Sequence, residues 1–363
     1  MRPKAVTLSE VAKMAGVSTA TINRVLKGDT PVSPKTKAKV EEVLAATRYR
    51  PNAAARNLRT KRTFTIGQML TSIVDNPLFV GVAAGVEAAA EAAGYRTILF
   101  NHENDPRRER SGVDGFIAQD VDAVLFCTST SADNVEAIAA AGIPVVEIER
   151  SLSGTTPFVR IDNLAGAKAA MQHLVELGHR RIAFIGGDPE LFSKDARRGR
   201  SVEDDRLEAY RESLTDAMIA YDPELVRLGF YYSTAEGDPS GEGRRHAESL
   251  LALKDRPTAI FATCDILAAG VLQAIHSHGL RVPNDISVVG FDDTLALNLT
   301  PSLTTVSQPM AKAGRLAFEI AHALIQGSSA ELFPELRSEL RVRNSTAKAK
   351  RVDSTEKLVL ASS

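Results

Sequence analysis

Residues 7–27 read TLSEVAKMAGVSTATINRVLK, and this stretch predicts two short helices joined by a tight turn. Thr7 and Glu10 have the spacing of a capping box, in which each side chain satisfies a backbone N–H left open at a helix start. Leu8, Val11, Ala12 and Ala15 then recur at helical spacing and make one apolar face. Gly16 permits a sharp turn, because a residue without Cβ reaches positive φ without strain. Ser18 is an N-cap for a second helix whose inner face is Ile22, Val25 and Leu26. Small Ala12 lets the two helices cross closely. Thr19, Ala20, Asn23 and Arg24 are left pointing outward on the N-terminal half of the second helix, the part of such a pair that meets a DNA groove. Any amphipathic helical hairpin shares the apolar pattern. The coincidence of capping box, turn glycine and second cap at this spacing is particular to a helix-turn-helix.

Charge points the same way. Residues 1–62 hold 14 Lys+Arg and 4 Asp+Glu, a net +10, while the other 301 residues hold 30 and 41, a net −11. The overall formal charge of −1 therefore hides a basic headpiece on an acidic body. A polyanion attracts the first part, and the second discourages non-specific sticking.

A chain of 363 residues is too long for one ordinary core, so a small domain with a larger one or two is expected. Hydrophobic content of 44% and charged content of 25% are those of a globular protein in water. The N-terminus lacks the apolar core of a secretory signal, and no apolar run approaches the roughly 18 residues of a membrane span. Cys127 and Cys264 sit in apolar, strand-like contexts and imply no disulfide framework. A reducing cytoplasm is the expected compartment.

A third helix is expected from Ser33-Pro34, a cap followed by proline in the first turn, to about Thr47. Val40, Val43 and Leu44 would close a three-helix core, and Pro51 ends the headpiece (1–51). Residues 52–63, NAAARNLRTKRT, have one large apolar side chain, Leu58, and cannot bury enough surface to be a stable helix alone. They read as an interdomain linker, or as a hinge that becomes helical on contact with DNA. From 64 onward strands and helices alternate. Strands are expected at 64–70, 97–100, 123–127 and 145–148, with a helix at 79–93. A second series follows: strand 158–161, helix 164–177, strand 182–185, helices 204–217 and 242–253, strand 259–261, helix 266–278 and strand 287–290. Such alternation means parallel sheets covered by helices on both faces. The fold class expected is an all-α headpiece plus α/β, with two doubly wound lobes across 64–345 and a disordered tail at 346–363. Ligands of open parallel sheets bind beyond the carboxyl ends of the strands, here in a cleft between lobes.

These residues resemble the LacI/GalR family of transcriptional repressors over nearly the whole chain. The similarity runs through TLSEVAKMAGVSTATINRVLKG, YRPNAAARNLRTKRTFTIG, LGHRRIAFIGG (177–187), RPTAIFATCDILAAGVL (256–272), GLRVPNDISVVGFDD (279–293) and PSLTTVSQP (301–309). The resemblance implies a homodimer whose two headpieces read the half-sites of a pseudo-palindromic operator in double-stranded DNA. It places Thr19, Ala20 and Arg24 at base edges. Thr7, Ser18, Thr21, Asn23, Asn52, Ala55 and Arg56 join them in the DNA-binding set. Asn23 departs from the serine usual at its position. Leu58 matches a hinge leucine that wedges into the minor groove at the operator centre, which implies a flexible pyrimidine–purine step there, expected to be CG.

The body resembles periplasmic sugar-binding proteins, and the analogy implies a small-molecule effector, a sugar or sugar derivative. Its expected contacts are Phe79, Asp162, Arg206, Tyr231, Asp265 and Asp292. Each has a rival reading: Asp162 and Asp292 as helix caps, Arg206 as an ordinary ion pair. Cys264 stands where several family members carry a polar amide, and the charged insertion SKDARRGRSVEDD (193–205) departs from a shorter loop.

No catalytic constellation, cofactor or metal is expected. The seven histidines are scattered, and His276 and His278 do not share a helix face. The GGD at 186–188 lacks the spacing of a phosphate-binding loop, and the acidic pair Asp292-Asp293 has no identifiable partner. A second class of function, a solute-binding protein feeding a transporter, fits the body alone but not the basic headpiece. After Arg343 the sequence sustains no heptad, so a dimer without a tetramerising coiled coil is expected.

Overall fold

The computed structural model describes residues 6–27, 32–49, 57, 60, 62–72, 76–152, 154–192, 201–231, 238–329 and 331–350. The chain divides into two compact units, Met1–Thr63 and Phe64–Ser363.

In the first unit, α1 (Leu8–Ala15), α2 (Thr19–Lys27) and α3 (Pro34–Thr47) form a small bundle. The Thr7–Glu10 capping box is present, and Gly16 ends α1 at φ 65°. Ser18 Oγ accepts from Thr21 N–H at 3.1 Å and Ser33 Oγ from Thr36 N–H at 3.2 Å, capping α2 and α3. Val11, Ala12, Ala15, Ile22 and Val40 make the buried core, with Val25, Val43 and Leu44 packed against it. Leu26, expected on the inner face, is 38% exposed instead. It lies one residue before the end of α2, and the core closes on Ile22 and Val25 without it.

The second unit holds two six-stranded sheets. The strands are β1 (Thr65–Leu70), β2 (Arg96–Asn101), β3 (Ala123–Cys127), β4 (Val145–Ile148), β5 (Phe158–Asp162), β6 (Ile182–Gly187), β7 (Val226–Gly229), β8 (Ala259–Ala262), β9 (Ser287–Asp292), β10 (Thr304–Ser307), β11 (Glu335–Arg337) and β12 (Glu339–Arg341). The first sheet runs β11-β5-β4-β3-β1-β2 and the second β12-β10-β9-β8-β6-β7. All pairings are parallel except β10 with β12. The helices are α4 (Leu78–Ala92), α5 (Pro106–Ala118), α6 (Ala132–Ala140), α7 (Asn163–Glu176), α8 (Pro189–Phe192), α9 (Val202–Asp216), α10 (Gly241–Leu251), α11 (Asp265–Ser277) and α12 (Met310–Gln326). Each sheet is apolar on both faces, as parallel sheets must be. Ile66, Leu125 and Val146 face α4 and α12 on one side of the first sheet, with Met69, Val124 and Phe126 on the other. Ile185 and Val288, against Phe184 and Val289, repeat the arrangement in the second.

The chain passes between lobes three times: after β5, between β10 and α12, and between β11 and β12. The sequence reading placed 158–161 in the second series, whereas β5 pairs with β4 and belongs to the first sheet. Where α4 and α12 cross, a Cβ on Gly85 would strike the carbonyl of Ala311, and one on Gly314 that of Val82. Glycine at both positions lets the helices touch backbone to backbone.

Residues 346–350, expected as the start of a disordered tail, are bound to the second lobe. Ala347 N–H donates to Ser287 Oγ at 3.1 Å, Ala349 N–H to the Leu177 carbonyl at 2.8 Å, and Lys350 Nζ to Asp285 at 2.8 Å. The polar composition that reads as a tail here supplies backbone and hydroxyl partners. Positions 351–363 lie outside the described residues, as do 193–200 of the charged insertion and the hinge residues Asn52, Ala55, Arg56 and Leu58. No helix among the described residues is long and apolar enough to cross a membrane.

Candidate functional site

Two surfaces carry the expected chemistry. On the headpiece, Ser18, Thr19, Ala20 and Arg24 are exposed and Thr21 and Asn23 half-buried. Ile22 is fully buried among them, so the helix face opposite the core carries the short polar groups and one guanidinium. Arg24 forms no hydrogen bond or ion pair among the described residues. Thr7 is held at the start of α1, its N–H donating to Glu10 Oε2 at 2.7 Å and its Oγ1 accepting from Glu10 N–H at 3.3 Å.

In the body, a cleft between the lobes is lined from both sides at the carboxyl ends of the strands. Thr71, Asn76, Leu78, Phe79, Asn104, Thr128, Glu149 and Arg150 come from the first lobe, and Val202, Glu203, Arg206, Tyr231, Cys264 and Asp292 from the second. The empty space among them, open solvent included, is about 490 Å³. Four of these residues, Asn104, Thr128, Glu149 and Asp292, have positive φ without being glycine, at 55°, 57°, 67° and 107°. Strained backbone of this kind clusters at functional loops, because surrounding packing must hold it.

Arg206 is the hub of the second lobe's side. Its Nε and Nη2 donate to Asn163 Oδ1 at 3.1 and 2.8 Å, and Nη1 donates to the Thr263 carbonyl at 2.7 Å. Its guanidinium carbon stands 4.0 Å above the Phe291 ring. Nη2 lies 3.7 Å from Glu149 and 4.0 Å from Asp292. Burial alone would lower its pKa, yet Tyr231, Asp292, Glu149 and Glu203 together hold it above the ordinary arginine value. Arg150 Nη2 reaches both oxygens of Glu203 across the cleft, at 3.1 and 3.3 Å. Asp292 Oδ1 accepts from Gln308 Nε2 at 2.7 Å. Burial pushes the Asp292 carboxyl well up, and burial likewise raises Glu149.

Of the six effector residues expected from sequence, the structure gathers Phe79, Arg206, Tyr231 and Asp292 in this cleft. Asp162 and Asp265 stand apart from it. Asp162 caps α7, its Oδ1 accepting from Ala165 N–H at 2.9 Å, the rival reading given above. Asp265 is turned inward and fully buried. It accepts from Thr294 N–H at 2.8 Å, Leu295 N–H at 3.0 Å and Thr305 Oγ1 at 2.7 Å. It thereby ties the turn after β9 to β10. Sequence reasoning missed Glu149, Arg150 and Glu203. The signal for the first two was a charged pair at the end of the apolar strand 145–148. Glu203 was hidden in the charged insertion, where an acid reads as solvated.

Comparison with known proteins identifies both units. Residues 7–52 match the model described as bacterial regulatory proteins, lacI family, and residues 171–346 a periplasmic binding protein-like domain. A ribose operon repressor of Haemophilus influenzae is 34% identical over 316 residues, covering 86% of this chain and 90% of the relative. The chain belongs to the lacI family. Catabolite control protein A of Priestia megaterium is 33% identical over 87% of this chain and 91% of its own length. Among solved structures, a lac repressor dimer bound to operator and the anti-inducer ONPF aligns with TM-score 0.79 and 29% identity, over 95% of this chain and all of that one. The transcriptional regulator CelR in complex with cellobiose aligns with TM-score 0.68 and 30% identity, over 94% of this chain and 99% of the other. This lacI-family chain is a DNA-binding transcriptional regulator whose headpiece is followed in sequence by two α/β lobes.

Proposed function

We propose that the protein is a cytoplasmic, homodimeric repressor whose operator affinity is set by a small polyhydroxylated effector bound between the lobes. The observation that carries this reading is the cleft itself: fourteen lining residues drawn from both lobes, with a buried ion pair, Arg150–Glu203, crossing it. A ligand there touches both lobes at once, and so has different affinities for their open and closed arrangements. That difference is all an effector has with which to shift an equilibrium. Arg206 and Asp292 offer fixed charge-assisted hydrogen bonds to hydroxyls, and the Phe79 ring offers an apolar face to sugar C–H groups.

On the headpiece, Arg24 donates two hydrogen bonds to a guanine in the major groove, and Thr19 and Ala20 contact neighbouring bases. Thr7, Ser18, Thr21 and Asn23 meet the sugar–phosphate backbone. Asn52, Ala55 and Arg56 act from the hinge, and Leu58 wedges the centre of a pseudo-palindrome at a CG step. The reading is of a regulator rather than an enzyme. It is also not a transporter's solute carrier, since the match at residues 7–52 is to DNA-binding relatives.

The test is electrophoretic retardation of fragments upstream of sugar-utilisation genes, titrated with sugars, sugar phosphates and nucleosides. A shifted fragment released or tightened by one compound class supports the reading. A chain that retards no fragment at low salt, with or without ligands, refutes it.

A further inference from the structure

The charges of the cleft narrow the class of ligand, on the footing that the cleft is the effector site as proposed. Three carboxylates line it, Glu149, Glu203 and Asp292, against two guanidiniums among the described residues, Arg150 and Arg206. Arg150 is engaged by Glu203 at hydrogen-bond distance. Arg206 gives its hydrogen bonds to Asn163 and Thr263, and only faces Glu149 and Asp292 at 3.7 and 4.0 Å. One guanidinium therefore serves two acids without a direct hydrogen bond to either. Glu149 is 7% exposed, and its Oε1 is a buried acceptor with no hydrogen-bond partner. Burial raises both carboxyls and Arg206 opposes it at each, while Glu203 adds to the rise at Glu149 and Asp265 and Glu149 add to it at Asp292.

Three kinds of ligand behave differently here. A phosphate or carboxylate adds to the excess, and takes Arg150 only by leaving Glu203 buried and unpaired, a heavy cost. A neutral polyol donates hydroxyls to Glu149 but leaves the charge uncompensated. A protonated amine supplies both the donor and the missing positive charge, and hydrogen bonds between two ionised groups are the strong ones. We infer that the effector is a polyhydroxylated molecule bearing a protonated amine, its ammonium held by Glu149 and Asp292. Arg206, anchored by Asn163 and the Thr263 carbonyl, stays in place as the ammonium enters. Phe79, Leu78 and Val202 pack on the ligand's C–H surface.

The experiment is calorimetric titration of the full chain with glucose, galactose, mannose and ribose, their amino-deoxy counterparts, and their phosphates. At least one amine is expected to bind about tenfold more tightly than its neutral parent, the factor produced by a single well-formed added interaction, with the phosphates weakest. In Glu149→Gln that ratio is expected to fall toward one. Should this variant fail to fold, as read by its melting curve, Asp292→Asn carries the same comparison. A neutral parent or a phosphate binding more tightly than the amine overturns the inference, as does a ratio untouched by both variants or no binding by any amine. Tight neutral-sugar binding that alters operator affinity would remove the amine while leaving the effector reading standing. Indifference of operator binding to every compound that occupies the cleft would remove that reading itself.

Discussion

Arg150 and Glu203 sit on different lobes, yet Arg150 Nη2 lies 3.1 and 3.3 Å from the two carboxylate oxygens of Glu203. Both side chains are almost wholly buried, 6% and 2% exposed. A surface pair of this kind contributes little, but a buried one behaves asymmetrically: removing one partner strands the other charge away from water. The pair is thus a clasp across the cleft, and its state reports whether the lobes are together.

Arg150→Ala should therefore destabilise the protein by about 3–5 kcal/mol, whereas the double change Arg150→Met with Glu203→Leu should lose much less. Urea unfolding of both variants measures this. Equal losses would mean that the pair is solvated in solution and does not clasp the lobes.

Asp265 predicts a pH signature. Burial raises its carboxyl from 3.8 to about 6, so between those values the folded state binds a proton more tightly than the unfolded chain. Its contribution to stability is greatest below about pH 4 and is lost as pH rises through 6, by roughly 2–3 kcal/mol. The stability difference between the natural protein and Asp265→Asn, followed by denaturant titration from pH 4 to 7, should fall over that window. A flat difference would show that the carboxylate is ionised throughout, held by its two N–H donors and the Thr305 hydroxyl.

Gly314→Ala tests the α4–α12 crossing. The new methyl meets the Val82 carbonyl, and overpacking of this kind costs about 1–3 kcal/mol. Gly115→Ala, in α5, meets nothing within van der Waals range and should be neutral or slightly stabilising, since alanine favours helix more than glycine does. Thermal melts of the two variants should separate in that order.

Arg24→Ala should lose about 1–3 kcal/mol of discrimination at one base pair in each half-site, while leaving affinity for the remaining positions intact. A binding series over single-base operator variants reads this directly. A uniform loss across all positions would make Arg24 a phosphate contact instead.

How much of this was legible beforehand varies with the range of the interactions involved. Among its described residues the headpiece came out of the sequence with only Leu26 misplaced, because caps, turn glycine and apolar spacing are local, acting within three or four residues. The two-lobed α/β body was legible from alternation, but not its weave. Nothing local to 158–162 says which sheet it joins, and the three-residue strands β11 and β12 are too short to carry a period. At the cleft, Arg206 and Asp292 were foreseen through family resemblance, and Glu149, Arg150 and Glu203 were not. Ionisable side chains read as solvated until the fold brings acid and guanidinium together from positions about fifty residues apart. Asp265 shows the converse error, a carboxylate at a strand end that faces its own lobe.

The weave also has a consequence for how the molecule is made. The first sheet takes its sixth strand from Glu335–Arg337 and one of its covering helices from Met310–Gln326. The earlier-translated lobe therefore cannot be finished until residues 310–337 have left the ribosome. Neither lobe exists as a contiguous fragment that a protease or a gene truncation could release intact. Cutting the chain anywhere between the two sheets damages both.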